Sequence, residues 1–208
     1  MLPKDIESRS FEIIGQELKE RGISIDEDKA FIIKRAIHTT ADFDYADTLC
    51  FSENAVEKAR ELIRSGADIV TDTNMALSGI NKGTLARFGG LVHCFMADEK
   101  VAAEAKERGL TRASVSMEYA SRIEKPVIFA IGNAPTALIS LREMYDNDGF
   151  KPAFVIGVPV GFVNVEAAKE MIMKTDIPYI VNRGRKGGSN VAAAICNALI
   201  YDVAGSRS

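Results

Sequence analysis

The stretch PVIFAIGNAPTALISLREM, residues 126–144, decides the fold class. It opens on a continuous apolar run that ends at Ile131, passes through a short loop, and continues with Leu138, Leu141 and Met144 at helical spacing. Strands that are apolar throughout, without alternation, are typical of parallel sheets covered on both faces. The stretch therefore predicts one strand–loop–helix unit of an α/β protein.

Units of the same kind recur on either side of this stretch. Further short strands are predicted at residues 48–51, 67–71, 91–95, 153–158 and 178–181, with helical patterns after them and two more helices near the N-terminus. This repetition predicts a three-layer α/β sandwich, with a mostly parallel sheet of five to six strands, helices on both faces and extra N-terminal helices. We expect a single domain over residues 1–208, because no linker or repeat interrupts the chain.

Two local predictions concern helix ends. Ser52 is expected to cap the helix that carries Ala55 to Ile63, since serine is a favoured N-cap residue. Residues 74–88 are expected to form a loop and one short helix.

The composition excludes several classes of protein. The chain has 208 residues and a formal net charge of −3. It is 47% hydrophobic and 26% charged, and these fractions are typical of folded globular proteins. A mildly acidic chain lacks the concentrated basic face that nucleic-acid binding needs. No apolar run approaches the ~20 residues of a membrane helix. We therefore expect neither nucleic acid nor a membrane as a partner.

The cysteines and the N-terminus point to the cytoplasm. Cys50, Cys94 and Cys196 are far apart and form no Cys-x-x-Cys pair, so neither a zinc knuckle nor a disulfide framework is expected. The first residues show no signal-peptide pattern. A reducing cytoplasm fits this cysteine usage best.

Polar residues and glycines are concentrated in the loops that follow the predicted strands. Ligands bind beyond the carboxyl ends of parallel strands in open sheets, which selects these loops without any motif. They contain residues 72–79, 96–98, 132–136, 159–161 and 182–190.

The last of these loops predicts an anion site. Arg183, Arg185 and Lys186 stand among glycines, and a helix N-terminus follows, which favours negative charge. The loop has no Walker A pattern, so phosphate is unsupported as its ligand, whereas arginine also binds carboxylates bidentately. The alternative is a solvated basic turn.

The chain has only two histidines, and they have different surroundings. His38 ends a helix, and Asp42 or Asp44 could orient its imidazole or raise its pKa, making it a proton donor near neutral pH. The alternative is a histidine that interacts with the last carbonyls of its helix. His93 lies inside an apolar strand, where a structural role is favoured. Histidines so far apart do not indicate a metal site.

Three further groups carry open alternatives. Asp72 and Asp98 follow strands and could act as acid or base, or cap the next helix. A polar group near another helix start is formed by Arg112, Ser114 and Glu118. Met75, Met96 and Met117 could line an apolar wall or pack in the core.

Five segments in the predicted ligand loops together resemble one family. They are HTTADFD at 38–44, DTNM at 72–75 with SGI at 78–80, GNAPTAL at 132–138, GVPVGFV at 157–163 and RGRKGGS at 183–189. The chain resembles the precorrin-8 and cobalt-precorrin-8 methylmutases of corrin-ring biosynthesis, from Ser10 to about Leu199. Five segments in order are far more specific than any one of them.

The resemblance implies a cytoplasmic homodimer of α/β subunits. It implies an isomerase that moves a methyl group from C-11 to C-12 of the tetrapyrrole by a 1,5-sigmatropic shift, giving hydrogenobyrinic or cobyrinic acid. It implies no external cofactor and no metal held by the protein, since any cobalt belongs to the substrate. The catalytic histidine of the family falls on His38.

The substrate implied is a large flat ring edged with carboxylates, which needs cations and N–H groups at its rim and apolar side chains against its faces. His38 is expected to be catalytic, as the side chain whose ordinary pKa of ~6.5 suits proton donation to the ring. The residues expected to bind substrate are Ser10, Thr39, Thr73, Asn74, Met75, Ser78, Gly79, Arg112, Ser114, Asn133, Arg183, Gly184, Arg185, Lys186, Gly187 and Ser189.

Two other functions remain open from the residues alone. One is a non-catalytic tetrapyrrole carrier, which would have no need of an acid at His38. The other is a phosphate-ester transferase that uses the Arg183–Ser189 loop. The sequence leaves open whether the substrate carries cobalt.

Overall fold

A computed structural model describes residues 3–205, with side chains from residue 6 onward. Its centre is one six-stranded sheet in the order β1-β6-β5-β4-β2-β3. The strands are β1 (Leu49–Phe51), β2 (Asp68–Thr71), β3 (Val92–His93), β4 (Val127–Ile131), β5 (Phe154–Gly157) and β6 (Tyr179–Asn182). Neighbours from β3 to β6 pair in parallel. The predicted α/β class with a mostly parallel sheet is therefore confirmed.

Helices cover both faces of the sheet. They are α1 (Pro3–Glu20), α2 (Glu27–Thr40), α3 (Tyr45–Thr48), α4 (Ala55–Arg64), α5 (Asn74–Gly79), α6 (Lys82–Ala86), α7 (Glu99–Arg108), α8 (Arg112–Ala120), α9 (Pro135–Asn147), α10 (Val165–Met173) and α11 (Ser189–Val203). One apolar core joins α1, α2, α4 and α11 to the sheet, and a second joins α8, α9 and α10 to the opposite face. Within residues 3–205, no helix is both long enough and apolar enough to span a membrane.

The first strand departs from the parallel pattern. β1 lies at the sheet edge and pairs antiparallel with β6, with Leu49 opposite Asn182. The prediction that Ser52 caps α4 is wrong, because Asn54 occupies the N-cap position and the Ser52 hydroxyl instead accepts the N–H of Tyr179 at 2.9 Å. Ser52 thus extends the antiparallel pairing just beyond the strand.

The segment after β2 also differs from expectation. Residues 74–88 form two short helices, α5 and α6, where one was predicted. The second helix begins because the side-chain oxygen of Asn81 accepts the N–H of Thr84 at 3.0 Å, which is an N-cap hydrogen bond. The signal in the sequence for the start of α6 was Asn81, a residue type that favours the N-cap position.

The strand β4 forms the middle of both cores. Phe129 and Ile131 contribute to the core with α8, α9 and α10, whereas Ile128 and Ala130 contribute to the core with α2 and α11. Successive side chains of a strand point to opposite faces, so a continuous apolar run is needed where both faces are covered. This is the physical reason why the opening stretch predicted the fold correctly.

A buried carboxyl joins two of the strand–loop–helix units. Asp72, which follows β2, is 1% exposed, and its oxygens accept the N–H groups of Gly132, Asn133 and Ala134 at 2.9, 2.8 and 2.6 Å. Burial raises the pKa of the Asp72 carboxyl above its ordinary value, and the three N–H groups oppose that shift. Asp72 thus fastens the loop after β4, a role that neither the acid–base nor the next-helix cap interpretation contained.

We expect Phe129→Ala to lower the free energy of unfolding by about 3–5 kcal/mol, because the fully buried ring leaves a cavity. Phe162→Ala is the matched control: its ring is 82% exposed, so the change should stay within about 0.5 kcal/mol. Urea denaturation at unchanged m-value measures both variants. Equal losses would contradict this assignment of the core.

We expect Asp72→Asn to lower the free energy of unfolding by about 2–3 kcal/mol, because the amide group cannot accept all three N–H bonds. Asp98→Asn is the control, since Asp98 caps α7 by accepting the N–H of Lys100 and asparagine caps a helix equally well. Chemical denaturation at neutral pH compares the two. An unchanged free energy of unfolding in Asp72→Asn would show that the loop after β4 keeps its conformation without the carboxylate.

Candidate active site

The loops after four strands meet at the carboxyl edge of the sheet. The hydroxyls of Thr73 and Ser189 lie 2.8 Å apart, which joins the loop after β2 to the start of α11. Val160 donates its N–H to the Gly132 carbonyl at 3.3 Å, and Gly188 donates to the Val158 carbonyl at 2.9 Å. Four of the five segments that sequence analysis selected as ligand loops, those after β2, β4, β5 and β6, are therefore in direct contact.

Two glycines permit this close packing of backbones. A Cβ atom on Gly132 would lie 2.7 Å from the Cα atom of Ser189, and one on Gly187 would lie 2.0 Å from the Val158 carbonyl oxygen. Both distances are too short for any side chain, so glycine is required where these loops cross. Gly187 therefore has a packing role, and its expected role in substrate binding stays a prediction.

The loop from Arg183 to Gly188, which we call the cationic loop, follows β6. Arg183 and Arg185 are exposed, and their Nε atoms lie 3.3 and 2.8 Å from carboxylate oxygens of Glu170 and Glu166 on α10. Exposed ion pairs of this kind contribute about 0–1 kcal/mol, so either guanidinium group can exchange its glutamate for another carboxylate at little cost. The Arg185 guanidinium also lies 5.4 Å from the centre of the exposed Phe162 ring.

Lys186 has a different environment from the two arginines. Its Nζ lies 2.5 and 2.6 Å from carboxylate oxygens of Asp42 and Asp44, in the segment that follows α2. The hydrogen bonds to Asp42 and Asp44 raise the pKa of Lys186, and Lys186 lowers the pKa of Asp42. The structure thus places both carboxylates on Lys186, and among the described residues it shows no hydrogen bond from His38 to either of them.

His38 lies in the last turn of α2 and is exposed. Its ring contacts Phe11 of α1, with the two centroids 5.4 Å apart. The ion pairs between Lys186 and the two aspartates tie the end of this helix to the cationic loop. His38 is therefore an exposed imidazole on a segment that is fastened to the cationic loop.

The structure places the remaining expected binding residues in three ways. Asn74, Met75, Ser78 and Gly79 belong to α5 and are exposed beside Thr73, and Asn133 is exposed in the loop after β4. Thr39 is exposed beside His38. Ser10 donates its hydroxyl to the Ile6 carbonyl within α1 at 2.8 Å, so its side chain is engaged in its own helix.

The polar group predicted near the start of α8 is divided in the structure: Arg112 and Ser114 lie near the strand-end loops, and Glu118 does not. The Ser114 hydroxyl lies 3.0 Å from that of Thr111, which in turn contacts the Thr136 hydroxyl at the same distance. The start of α8 therefore lies against the first turn of α9, which follows the loop after β4. Arg112 is exposed there. Glu118 instead binds Arg108 of α7 and takes no part in the cluster.

Other sequence alternatives are also decided. His93 is structural, with its Nε2 atom 2.8 Å from the Asp68 carboxylate, and Asp98 is a helix cap. Met117 is fully buried in the core, whereas Met75 is 70% exposed.

Sequence analysis missed three residues around the cationic loop, all on α10. Glu166, Lys169 and Glu170 occupy positions i, i+3 and i+4, which share one face of a helix. The two glutamates bind the arginines, and Lys169 donates from its Nζ to the carbonyls of Gly184 and Lys186. The spacing of these charges was the available signal, but charges on a helix are usually a solvated face.

A large groove lies away from the strand-end loops. It has a volume of about 570 Å³ between α1 and α2, with Phe11, Gly15, Ile23 and Lys34 among its lining residues. Polar groups able to bind an anion are concentrated instead at the carboxyl edge of the sheet, beside the exposed apolar side chains of Phe162 and Val163. That edge fits a ligand with carboxylates and an apolar face, and it is the candidate active site.

Comparisons with known proteins agree with the resemblance. The family model described as precorrin-8X methylmutase matches residues 5–202. The cobalt-precorrin-8 methylmutase of Salmonella typhimurium is 45% identical over 207 residues, covering 96% of this chain and 95% of that protein. The precorrin-8X methylmutase of Pseudomonas aeruginosa is 38% identical over 193 residues, covering 92% and 91%.

A solved structure gives the same result for the fold. The structure of precorrin-8X methyl mutase from Thermus thermophilus superposes with a TM-score of 0.87 at 38% identity, covering 98% of this chain and 99% of that one. With a match along nearly the whole sequence and the same fold, this chain belongs to the precorrin-8X methylmutase family.

Proposed function

We propose that this chain is an isomerase of corrin biosynthesis that moves a methyl group from C-11 to C-12 of precorrin-8 or cobalt-precorrin-8. The observation that carries the proposal is its 45% identity to the Salmonella typhimurium cobalt-precorrin-8 methylmutase over 96% of the chain. The site supports it, because exposed arginines stand beside exposed apolar side chains at the carboxyl edge of the sheet.

The proposed substrate matches the chemistry of this edge. Its peripheral carboxylates suit Arg183 and Arg185, whose present partners are the exchangeable carboxylates of Glu170 and Glu166. Its flat apolar ring suits Phe162 and Met75, which are 82% and 70% exposed. Holding such a ring in one reactive shape is a large part of what a sigmatropic shift needs.

His38 is the proposed proton donor. A proton placed on the ring near the migration terminus stabilises the charge that develops as the methyl group moves, and a positioned acid typically contributes 10²- to 10⁴-fold. Substrate and product are isomers, so the proton returns to the imidazole at the end of the cycle. The proposed reaction uses no protein nucleophile and no external cofactor.

The assembly and location follow the resemblance. The proposed enzyme is a homodimer in the cytoplasm, as the resemblance implies.

The deciding experiment for the function is an anaerobic absorbance time course with precorrin-8 and with cobalt-precorrin-8. We expect the wild type to produce a corrin spectrum, and His38→Ala to lose 10²- to 10⁴-fold in turnover because the acid is gone. The faster substrate identifies whether cobalt is present in it. His93→Gln is the control, since the other histidine lies on Asp68, and it should keep turnover within about threefold when folded.

Each other outcome has a distinct meaning. Wild-type turnover in His38→Ala, with product bound normally, contradicts the acid role. A spectral shift on binding without conversion of either compound favours the carrier. No change with either compound favours a phosphate-ester substrate of the cationic loop.

We expect opposite effects from the two partners of one ion pair. Arg185→Gln should raise KM about 10-fold, because a charged hydrogen bond to a substrate carboxylate is lost. Glu166→Gln should lower KM about two- to fivefold, because the competing carboxylate is removed. Steady-state kinetics measures both, with Arg64→Gln and Glu57→Gln, an exposed pair on α4, as unaffected controls. Changes of the same sign would contradict carboxylate binding by Arg185.

A further inference from the structure

Lys169 is a charged side chain that is fully buried and has no ion-pair partner among the described residues. It lies on α10, is 1% exposed, and is among the largest fully buried side chains of residues 6–205. Its Nζ donates to the carbonyl oxygens of Gly184 and Lys186 at 2.7 and 2.9 Å. Among the side chains that the structure describes, no carboxylate lies within ion-pair distance of it. Burying an ammonium group without a carboxylate costs free energy.

Both acceptors of this ammonium belong to the backbone of the cationic loop. They alternate with Arg183 and Arg185, the residues whose guanidinium groups face solvent. The same face of α10 presents Glu166 and Glu170 to those two guanidinium groups. One face of α10 therefore binds the loop in two ways. Its glutamates form weak, exposed ion pairs with the loop arginines, and Lys169 forms buried hydrogen bonds with the loop carbonyls.

Other hydrogen bonds also hold the loop backbone, and in its middle the Arg185 carbonyl accepts the N–H of Gly161 at 3.1 Å. Arg183 donates its N–H to the Thr48 carbonyl at 2.8 Å, and Gly188 donates to the Val158 carbonyl at 2.9 Å. Asn182 donates from its side-chain nitrogen to the Lys186 carbonyl, the acceptor it shares with Lys169. Gly184 has a positive φ of 78°, so the chain turns sharply where Lys169 holds it. Without the ammonium group, the Gly184 turn loses its side-chain donor.

We propose that Lys169 is a positioning residue of this enzyme, whose buried ammonium group fixes the backbone of the cationic loop so that Arg183 and Arg185 meet the substrate carboxylates. This rests on the proposed function for the part that concerns substrate. The part that concerns the loop backbone stands on the geometry alone. A displacement of about 1 Å at a binding group can cost 10²-fold in rate or affinity, which gives this role its expected size.

The loop can be tested in the free protein, because Arg183, Arg185 and Lys186 are all trypsin sites. We expect Lys169→Met, which keeps the length but removes the donor, to be cleaved within residues 183–186 at least 10-fold faster than the wild type under native conditions. Lys174→Met, at an exposed lysine just beyond α10, is the matched control and should be cleaved there at the wild-type rate. Peptide mapping by mass spectrometry locates the cuts, and circular dichroism verifies folding.

The kinetic test separates positioning from structural support. We expect Lys169→Met to raise KM at least 10-fold while kcat at saturation stays within about threefold, because Arg183 and Arg185 bind the substrate but do not react with it. Lys169→Gln retains an uncharged N–H donor, so its cleavage rate and its KM should both lie between those of the wild type and those of Lys169→Met. It also replaces Lys169→Met if the methionine variant does not fold.

The outcomes distinguish this inference from the proposed function. Unchanged cleavage at 183–186 in both variants overturns the inference, whatever the reaction. Faster cleavage with an unchanged KM overturns the positioning role and leaves a structural one. A wild type that converts neither precorrin overturns the proposed function, and the cleavage result still decides whether Lys169 holds the loop.

Discussion

The geometry of the site depends on one buried carboxyl group. Asp72 follows β2, yet its oxygens accept three consecutive N–H groups at the start of α9, where the helix dipole is positive. Because the group is 1% exposed, water cannot replace it. The loops after β2 and β4 are thereby joined, and the 188–189 backbone packs directly on Gly132. The proposed function, which requires a large ring to be held in one shape, needs loops that are fixed to one another in this way.

The proposed role of the cationic loop sets the opposite requirement, since Arg183 and Arg185 would have to exchange their glutamate partners for substrate carboxylates. The helix α10 combines a held backbone with exchangeable side chains. Lys169 is buried and holds the loop carbonyls, whereas Glu166 and Glu170 form exposed pairs that contribute about 0–1 kcal/mol each. Incoming carboxylates can displace the glutamates without disturbing the backbone. The backbone hydrogen bonds and the exchangeable ion pairs of the loop thus depend on different side chains of the same helix face.

Lys186 couples the two halves of the proposed machinery. Sequence analysis grouped Lys186 with the substrate ligands, and Asp42 and Asp44 with His38. The structure shows that these lysine and aspartate side chains bind one another. The pairing follows from charge, since two carboxylates in one short segment attract the cation that the fold brings to them. The histidine-bearing end of α2 is therefore attached to the loop that carries the arginines.

The sequence alone determined which segments are buried strands and which loops carry polar chemistry, because continuous apolar runs and clustered polar residues are local properties of the chain. It also selected the strand-end loops, four of which the structure brings together, since parallel strands bring their carboxyl ends to one edge. It was wrong about Ser52, and it did not identify Lys186 as a partner of Asp42, because each of these residues had several partners available by type. Only the tertiary structure decided that Asp72 binds the loop after β4, that Lys186 binds Asp42 and that Lys169 binds Gly184. Such choices join residues far apart in the chain, and they depend on distance, burial and direction, which residue type does not encode.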